Sequence, residues 1–540
     1  MRMNFYSYLV KSMFGIALLA FLSSCNSDPL GTVDPPPDNP NPIEYSSGDA
    51  DFSNYVAIGN SLTAGFIDGA LYNLGQQKSI PALLAGQLRA AGGQAVFNQP
   101  SVNSDYGCSN PREGCTLGKY KLDAEIPGPS PTILGDPITA YAGDKSALHN
   151  FGVPGIQVGQ LLTPDTGIPG AAAFSPYYAR FASSPGTSTI LGDVLARNPS
   201  FFTLWIGNND ILGYAISGAT NEAIFTDPAA FRARFEIVVG QLMGQTDADG
   251  IIVDIPALLY APYFQAVPYN PVVFDPESEA DMGLVSLLNS NFSGFNAALA
   301  GLQGIGQLTE ADVEERKIQY TAGANPVLIQ DLNLEDLSSK FDVLAAFGAI
   351  TPEQRAALQP YVQARPIKQG EFITLPAGGV IGSLADPNNP TSVLGVALPL
   401  SAQYVLAAAD IQRIEQRRGE LNAIIADVAG DYSSRIALYN TNDPNGTFAD
   451  LFGIDGSAPG IEFGGTFLNA DFTPYGVFST DGIHPNPRGA GIVANEMLDL
   501  IESSFNATLP RVNVLSLPTV ALCTGQGTAS DCASRAAAGL

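Results

Sequence analysis

Short, unbroken apolar runs alternate along this chain with longer stretches whose apolar positions recur at helical spacing. Tyr55-Val56-Ala57-Ile58 is stopped by Gly59, and Phe201 to Ile206, Gly250 to Ile255 and Arg435-Ile436-Ala437-Leu438-Tyr439 have the same look. Runs without polar alternation suit parallel strands covered on both faces. Ile411, Ile414, Leu421, Ile425 and Val428 recur at spacings of three, four and seven with Arg and Glu between them, the stripe of an amphipathic helix. Strands alternating with helices predict a doubly wound α/β domain. Two segments, about 67–145 and 263–395, break the rhythm. Both far exceed a usual connection of about 4–6 residues, so they read as insertions with structure of their own. The second has helical patterns from Ala280 to Leu302 and Glu335 to Gly348 behind an aromatic, proline-rich entry, Tyr260 to Phe274. A lid over a site and a packed accessory domain fit it equally.

Composition narrows the classes of function. Hydrophobic residues make up 45% of the 540 and charged residues 14%, which supplies a core and excludes wholesale disorder. The formal net charge of −27 gives a surface that repels phosphate backbones, so nucleic acid is not an expected partner. With two histidines, His149 and His484, no multi-histidine metal site is possible, and any histidine catalyst is one of these two.

The N-terminus reads as an address. Arg2 and Lys11 precede or flank an apolar run, Met13 to Leu22, which has signal-peptide length and is too short for the roughly 20 residues of a membrane span. It ends in Leu22-Ser23-Ser24-Cys25, which resembles the lipobox of bacterial lipoproteins. That resemblance implies a signal peptide over 1–24, cleavage before Cys25, lipidation of Cys25 and anchorage to a bacterial outer membrane, facing the periplasm or the cell surface. A plain secretory signal is the alternative. Residues 25–50 then form a proline-rich tether, 51–506 the folded domain, and 507–540 a C-terminal extension. The other cysteines fall into two close pairs, Cys108 with Cys115 and Cys523 with Cys532, a clustering that favours two local disulfides in an oxidising compartment. A four-thiolate zinc site is the rival, but its usual spacing is absent.

Four short motifs carry candidate chemistry. Gly59-Asn60-Ser61-Leu62-Thr63-Ala64-Gly65 follows the first strand, and Asn150-Phe151-Gly152-Val153-Pro154-Gly155 precedes a helical stretch. Gly207-Asn208-Asn209-Asp210 follows the strand at Phe201, and Asp481-Gly482-Ile483-His484-Pro485 stands near the end. Two of the four sit where ligands bind in open α/β sheets, at the C-terminal ends of strands. A serine in a tight glycine turn needs a neighbour to take its proton. His484 is the candidate base, with Asp481 three residues earlier to fix its tautomer. Ser61 N–H, Gly155 N–H and the Asn209 amide are candidate donors to a developing oxyanion. Each motif alone is ordinary: a turn, a punctuating glycine, a helix cap, a loop histidine. The four together are not.

In that order the motifs resemble the SGNH, or GDSL-like, hydrolases, through Gly59-Asn60-Ser61-Leu62, Asn150 with Gly155, Gly207 to Asp210, and Asp481 with His484. Ser61 to Gly69 is also similar to larger bacterial members. The resemblance covers scattered core segments and leaves out the insertions and the tail. One departure is Asn60, where the family usually carries Asp. The resemblance implies a three-layer α/β/α sandwich with a parallel, flavodoxin-like sheet, neither metal nor organic cofactor, and ester hydrolysis through an acyl-enzyme on Ser61. His484 is then the base, Asp481 its partner, and Ser61, Gly155 and Asn209 the oxyanion hole. An acyl lipid and an acylated glycan are both possible substrates, the first expecting a deep apolar cleft lined from Tyr260–Phe274, the second a shallow groove. A non-catalytic lipoprotein binding module on a hydrolase scaffold is the reading from another class.

Overall fold

The computed structural model describes residues 43–123, 128–132, 134–454, 456, 458–520 and 522–523. The signal peptide, Cys25, most of the tether and Cys532 lie outside the described residues.

Five parallel strands form the central sheet: β1 (Tyr55–Gly59), β2 (Asn150–Gly152), β3 (Phe201–Trp205), β4 (Asp249–Val253) and β5 (Ile436–Tyr439). Their spatial order is β2-β1-β3-β4-β5, with Ile58 beside both Phe151 and Leu204. This is the doubly wound order in which the chain steps outward from β1, first to one side and then to the other. The reversal leaves a crevice beyond the carboxyl ends of β1 and β3. Alternate strand residues supply two cores. Val56, Ile58, Phe202, Leu204 and Ile252 face one side, where they meet α4 (Pro228–Gln245) and α6 (Ala408–Gly430). Tyr55, Ala57, Phe201, Trp205, Ile251 and Val253 face the other, against α2 (Ile80–Leu88) and α8 (Pro487–Phe505). The chain is thus an α/β protein with a parallel sheet between helical layers.

Helix starts are set by local chemistry. Asp227 accepts from Ala229 and Ala230 N–H ahead of α4, with Pro228 at the first helical position. Asn486 does the same for α8, accepting from Arg488 and Gly489 N–H at 2.9 and 3.1 Å. That cap fixes where His484 leaves the loop.

The segment boundaries differ from the sequence reading in three places. The insertion expected over 67–145 contains α2, which is part of the sandwich: Ile80, Leu84 and Leu88 pack in the same core as Ala494 and Leu498 of α8. A β1-to-β2 crossover needs such a helix, and Ser79 with Pro81 marks its start. The segment over 263–395 has its own apolar core, running from Val267 to Val405 and including Phe292, Phe295 and Phe341. It is a packed lobe built round α5 (Glu279–Gly304). The ends of the domain also reach further than 51–506. Ser46 pairs with Thr508, while Leu509, Val512 and Leu517 join the core under α8. No helix among the described residues is long and apolar enough to cross a membrane.

Cys108 and Cys115 form a disulfide with Cα atoms 5.0 Å apart. Leu522–Cys523 pairs with Leu122 and Asp123, but a Cys523–Cys532 bridge falls outside the described residues.

Candidate active site

Ser61 opens a one-turn helix, α1 (Ser61–Ala64), directly beyond β1. Asn60 turns the chain by capping it: its Oδ1 accepts Leu62 N–H at 3.0 Å, which fixes the amide orientation, so Nδ2 donates to Asn208 Oδ1 at 2.9 Å. Asparagine here donates a hydrogen bond that an aspartate would have to accept. It leaves the buried Asn208 Nδ2 without a partner among the described residues.

His484 arrives from the other end of the chain. Its Nε2 lies 2.8 Å from Ser61 Oγ and its Nδ1 2.9 Å from Asp481 Oδ2. Both side chains are nearly closed off from solvent, 12% and 10% exposed, so the contacts are little screened. Asp481 is held by four donors. Oδ1 accepts the N–H groups of Ile483 and His484, each at 2.9 Å, and Oδ2 accepts Gly69 N–H at 2.9 Å beside the imidazole. Burial alone would raise this carboxyl, but the imidazole charge and these hydrogen bonds bring it down to about 2. The loop closes on itself through Ser479 N–H to His484 C=O at 2.8 Å, and Phe66 packs its ring 5.1 Å from the imidazole.

The expected oxyanion donors lie on three segments: the start of α1, the loop after β2 and the residues that follow β3. Gly155 is exposed, with φ of 78° that L side chains resist, and its N–H and that of Ser61 have no protein partner among the described residues. Asn209 begins α3 (Asn209–Ile216), and its Nδ2 donates to Ile156 C=O at 2.9 Å, beside Gly155. Asp210 ties the same loop down, accepting Val158 N–H at 3.0 Å and Thr226 Oγ–H at 2.7 Å. Burial pushes Asp210 up to about 6 in spite of those bonds. It is an anchor for the Gly155 loop. Asn150 is another: it donates to Thr63 C=O at 2.9 Å and accepts Gly152 N–H at 2.8 Å, joining α1 to β2. His149 lies away from this group, its Nδ1 accepting Asn98 N–H at 3.0 Å beside the Phe97 ring, and burial lowers its pKa.

A cleft of about 820 Å³, its open mouth included, runs beside Ser61 and His484. Its walls are almost wholly apolar: Trp205, Phe448, Leu451, Phe452, Ile492 and Val493 among them. Of the expected Tyr260–Phe274 lining only Ala261 reaches the cleft; Pro256, Ala257 and Leu258 just before it also line the wall. The reason is burial elsewhere, since Phe264 belongs to the sheet core and Val272 and Phe274 to the lobe core. No residue of the lobe lines the cleft. The walls come instead from α7 (Thr447–Phe452) and the start of α8, which sequence reasoning passed over. Their one available signal was an aromatic stretch, Thr447 to Phe452, following the last strand of a parallel sheet.

Among the described residues no group of His, Cys, Asp and Glu is arranged to hold a metal ion. What the arrangement can do is let His484 take the Ser61 proton, which makes the serine oxygen a nucleophile beside an apolar trough. Comparison with protein-family models, with curated proteins and with solved structures finds no match to this chain.

Proposed function

We propose that this chain is a serine carboxylic ester hydrolase of the SGNH type that cleaves esters of apolar acyl chains. The observation that carries the reading is the relay Ser61 Oγ–His484 Nε2–Asp481 Oδ2, at 2.8 and 2.9 Å, assembled from segments 423 residues apart. A relay of nucleophile, base and orienting carboxylate has the geometry that acyl transfer needs. Ser61 Oγ attacks the ester carbonyl carbon as His484 takes its proton, and the carbonyl oxygen gains the charge. Ser61 N–H, Gly155 N–H and the Asn209 amide receive that charge. As the tetrahedral intermediate collapses, His484 gives its proton to the departing alkoxide, leaving an acyl-enzyme. Water repeats the sequence, releasing the carboxylic acid and free Ser61.

The apolar cleft favours an acyl chain over an acetylated glycan, because each methylene removed from water contributes about 0.8 kcal/mol. A binding module gains nothing from the relay. The lipobox resemblance adds a location to the proposal, an outer-membrane lipoprotein held through Cys25.

The test is hydrolysis of p-nitrophenyl esters of two, four, eight and sixteen carbons by the wild type and by Ser61→Ala. The expected result is turnover that disappears in the variant and is faster on chains longer than acetate. Turnover that survives the substitution removes Ser61 from the reaction.

A further inference from the structure

Behind the relay stands a second carboxylate that the mechanism leaves unused. Phe66–Ile67 pairs with Ala70–Leu71 in a hairpin whose two turn residues, Asp68 and Gly69, have φ of 55° and 71°. Both values are positive, the type I′ form that Asp-Gly favours. Gly69 is required twice over, since a Cβ there would also lie 2.9 Å from the Tyr120 ring.

The turn grips three consecutive residues of the Asp481 loop. Asp68 N–H donates to Ser479 Oγ at 3.0 Å. Asp68 Oδ1 accepts Thr480 N–H at 2.9 Å and Thr480 Oγ–H at 2.7 Å. Gly69 N–H donates to Asp481 Oδ2 at 2.9 Å, the same oxygen that faces the His484 imidazole. The turn is itself braced. Tyr72 O–H donates to Asp68 Oδ2 at 2.6 Å, Tyr120 N–H to Asp68 C=O at 2.7 Å, and Lys119 Nζ lies 4.1 Å from the Tyr72 ring centre. Ser479 and Thr480 are closed off from solvent, at 0% and 2% exposure, so this grip is not exchanged for water.

Keeping a carboxylate at this place carries a cost, since burial and then the neighbouring Asp481 charge both push Asp68 up. A carboxylate makes stronger hydrogen bonds than a neutral acceptor, and here it spends them on the residue next to Asp481. We infer that Asp68 is a positioning residue: its turn clamps Ser479 to Asp481 and holds Asp481 Oδ2 on the His484 Nδ1 proton. Asp68 touches neither the nucleophile nor the base. The inference rests on the ester-hydrolase reading for its kinetic consequence, and on geometry alone for the clamp.

Asp68→Gly keeps the left-handed turn and removes the carboxylate, whereas Asp68→Asn keeps the turn and an oxygen for Thr480. A misplacement of about 1 Å at a reacting group costs on the order of 10²-fold. Asp68→Gly is therefore expected to lose about 10- to 100-fold in kcat with KM changed less than about twofold, and Asp68→Asn to recover a large part of the loss. The chain has two histidines, so ¹⁵N-labelled imidazole spectra resolve His484 with His149 as internal reference. The wild type should show His484 as a single Nδ1-protonated tautomer, and Asp68→Gly a mixture. A folded Asp68→Gly protein with wild-type kcat and an unchanged His484 tautomer overturns the inference. So does a loss accounted for entirely by a smaller folded fraction in thermal melts and active-site titration. If the wild type itself shows no Ser61-dependent turnover, the hydrolase reading fails, and the tautomer alone then decides whether the clamp exists.

Discussion

Asp481→Asn keeps the shape of the acid and removes its charge, and the surrounding donors dictate the outcome. Oδ1 faces the N–H groups of Ile483 and His484, and Oδ2 faces Gly69 N–H and His484 Nδ1, all four at 2.9 Å. An amide has one oxygen. With that oxygen toward Ile483 and His484, its NH₂ opposes the Gly69 donor and donates to Nδ1. With the oxygen reversed, two backbone donors lose their acceptor. An unpaired buried donor costs about 1–3 kcal/mol, so the orientation that loses one is preferred to the one that loses two. In it the imidazole carries its proton on Nε2, aimed at Ser61 Oγ, and cannot accept the serine proton. The expected loss in kcat is about 10⁴-fold, the size seen when the acid of a serine triad becomes its amide. KM should change by less than about threefold.

The same substitution has a pH signature. A carboxyl lowered from 3.8 to about 2 adds stability that is fully present above its unfolded value and is lost as pH falls through the folded one. That contribution is about 2 kcal/mol at neutral pH. Melts of the wild type should therefore fall steeply between about pH 4 and 2, and those of Asp481→Asn less steeply. The assay is kcat per titrated active site on one ester, with melting temperatures at both ends of that range. An Asn variant retaining more than about a tenth of wild-type kcat would refute the tautomer argument.

Other substitutions separate the remaining parts of the site. Asn209→Ala should lose about 10²–10³-fold in kcat on a short ester with KM little changed, measured by steady-state kinetics on folded protein; an equal rise in KM instead would make Asn209 a ground-state binder. Ala261→Phe puts a ring into the apolar cleft, and displacing about two methylenes at ~0.8 kcal/mol each should cost the octanoate ester about tenfold in kcat/KM while acetate turnover stays within about threefold. Trp205 is the only tryptophan and lines that cleft, so its fluorescence should respond to a long-chain acid in the wild type and less in Ala261→Phe. Asn60→Asp should keep kcat within about threefold, because Asn208 can turn its orphaned NH₂ toward the new carboxylate; a loss beyond tenfold would mean that the Asn60 donor itself matters.

The parts of this molecule that were legible in the sequence are those set by local pattern. The apolar runs at Tyr55, Phe201, Gly250 and Ile436 became β1, β3, β4 and β5, because strands buried on both faces leave no polar alternation. The strand β2 is three residues long and begins with Asn150, so it read only as a motif. Ser61, Asp481 and His484 stood out because glycine turns and scarce histidine mark them. The walls of the cleft did not, since Phe448, Leu451 and Ile492 follow the same spacing as any core-facing helix. Asp68 lies in the Ser61 to Gly69 stretch, but its partners in the Asp481 loop, Ser479 and Thr480, are 411 and 412 positions away, and no local pattern encodes them.

The central claim is that Ser61 is an activated nucleophile, and covalent trapping tests it most directly. A fluorophosphonate carrying an octyl chain should add once to the wild type, on the peptide containing Ser61, by intact mass and by peptide mapping. Neither Ser61→Ala nor His484→Ala should be labelled at a comparable rate. A folded wild type that stays unmodified, or one labelled equally well with His484 replaced, would contradict the account.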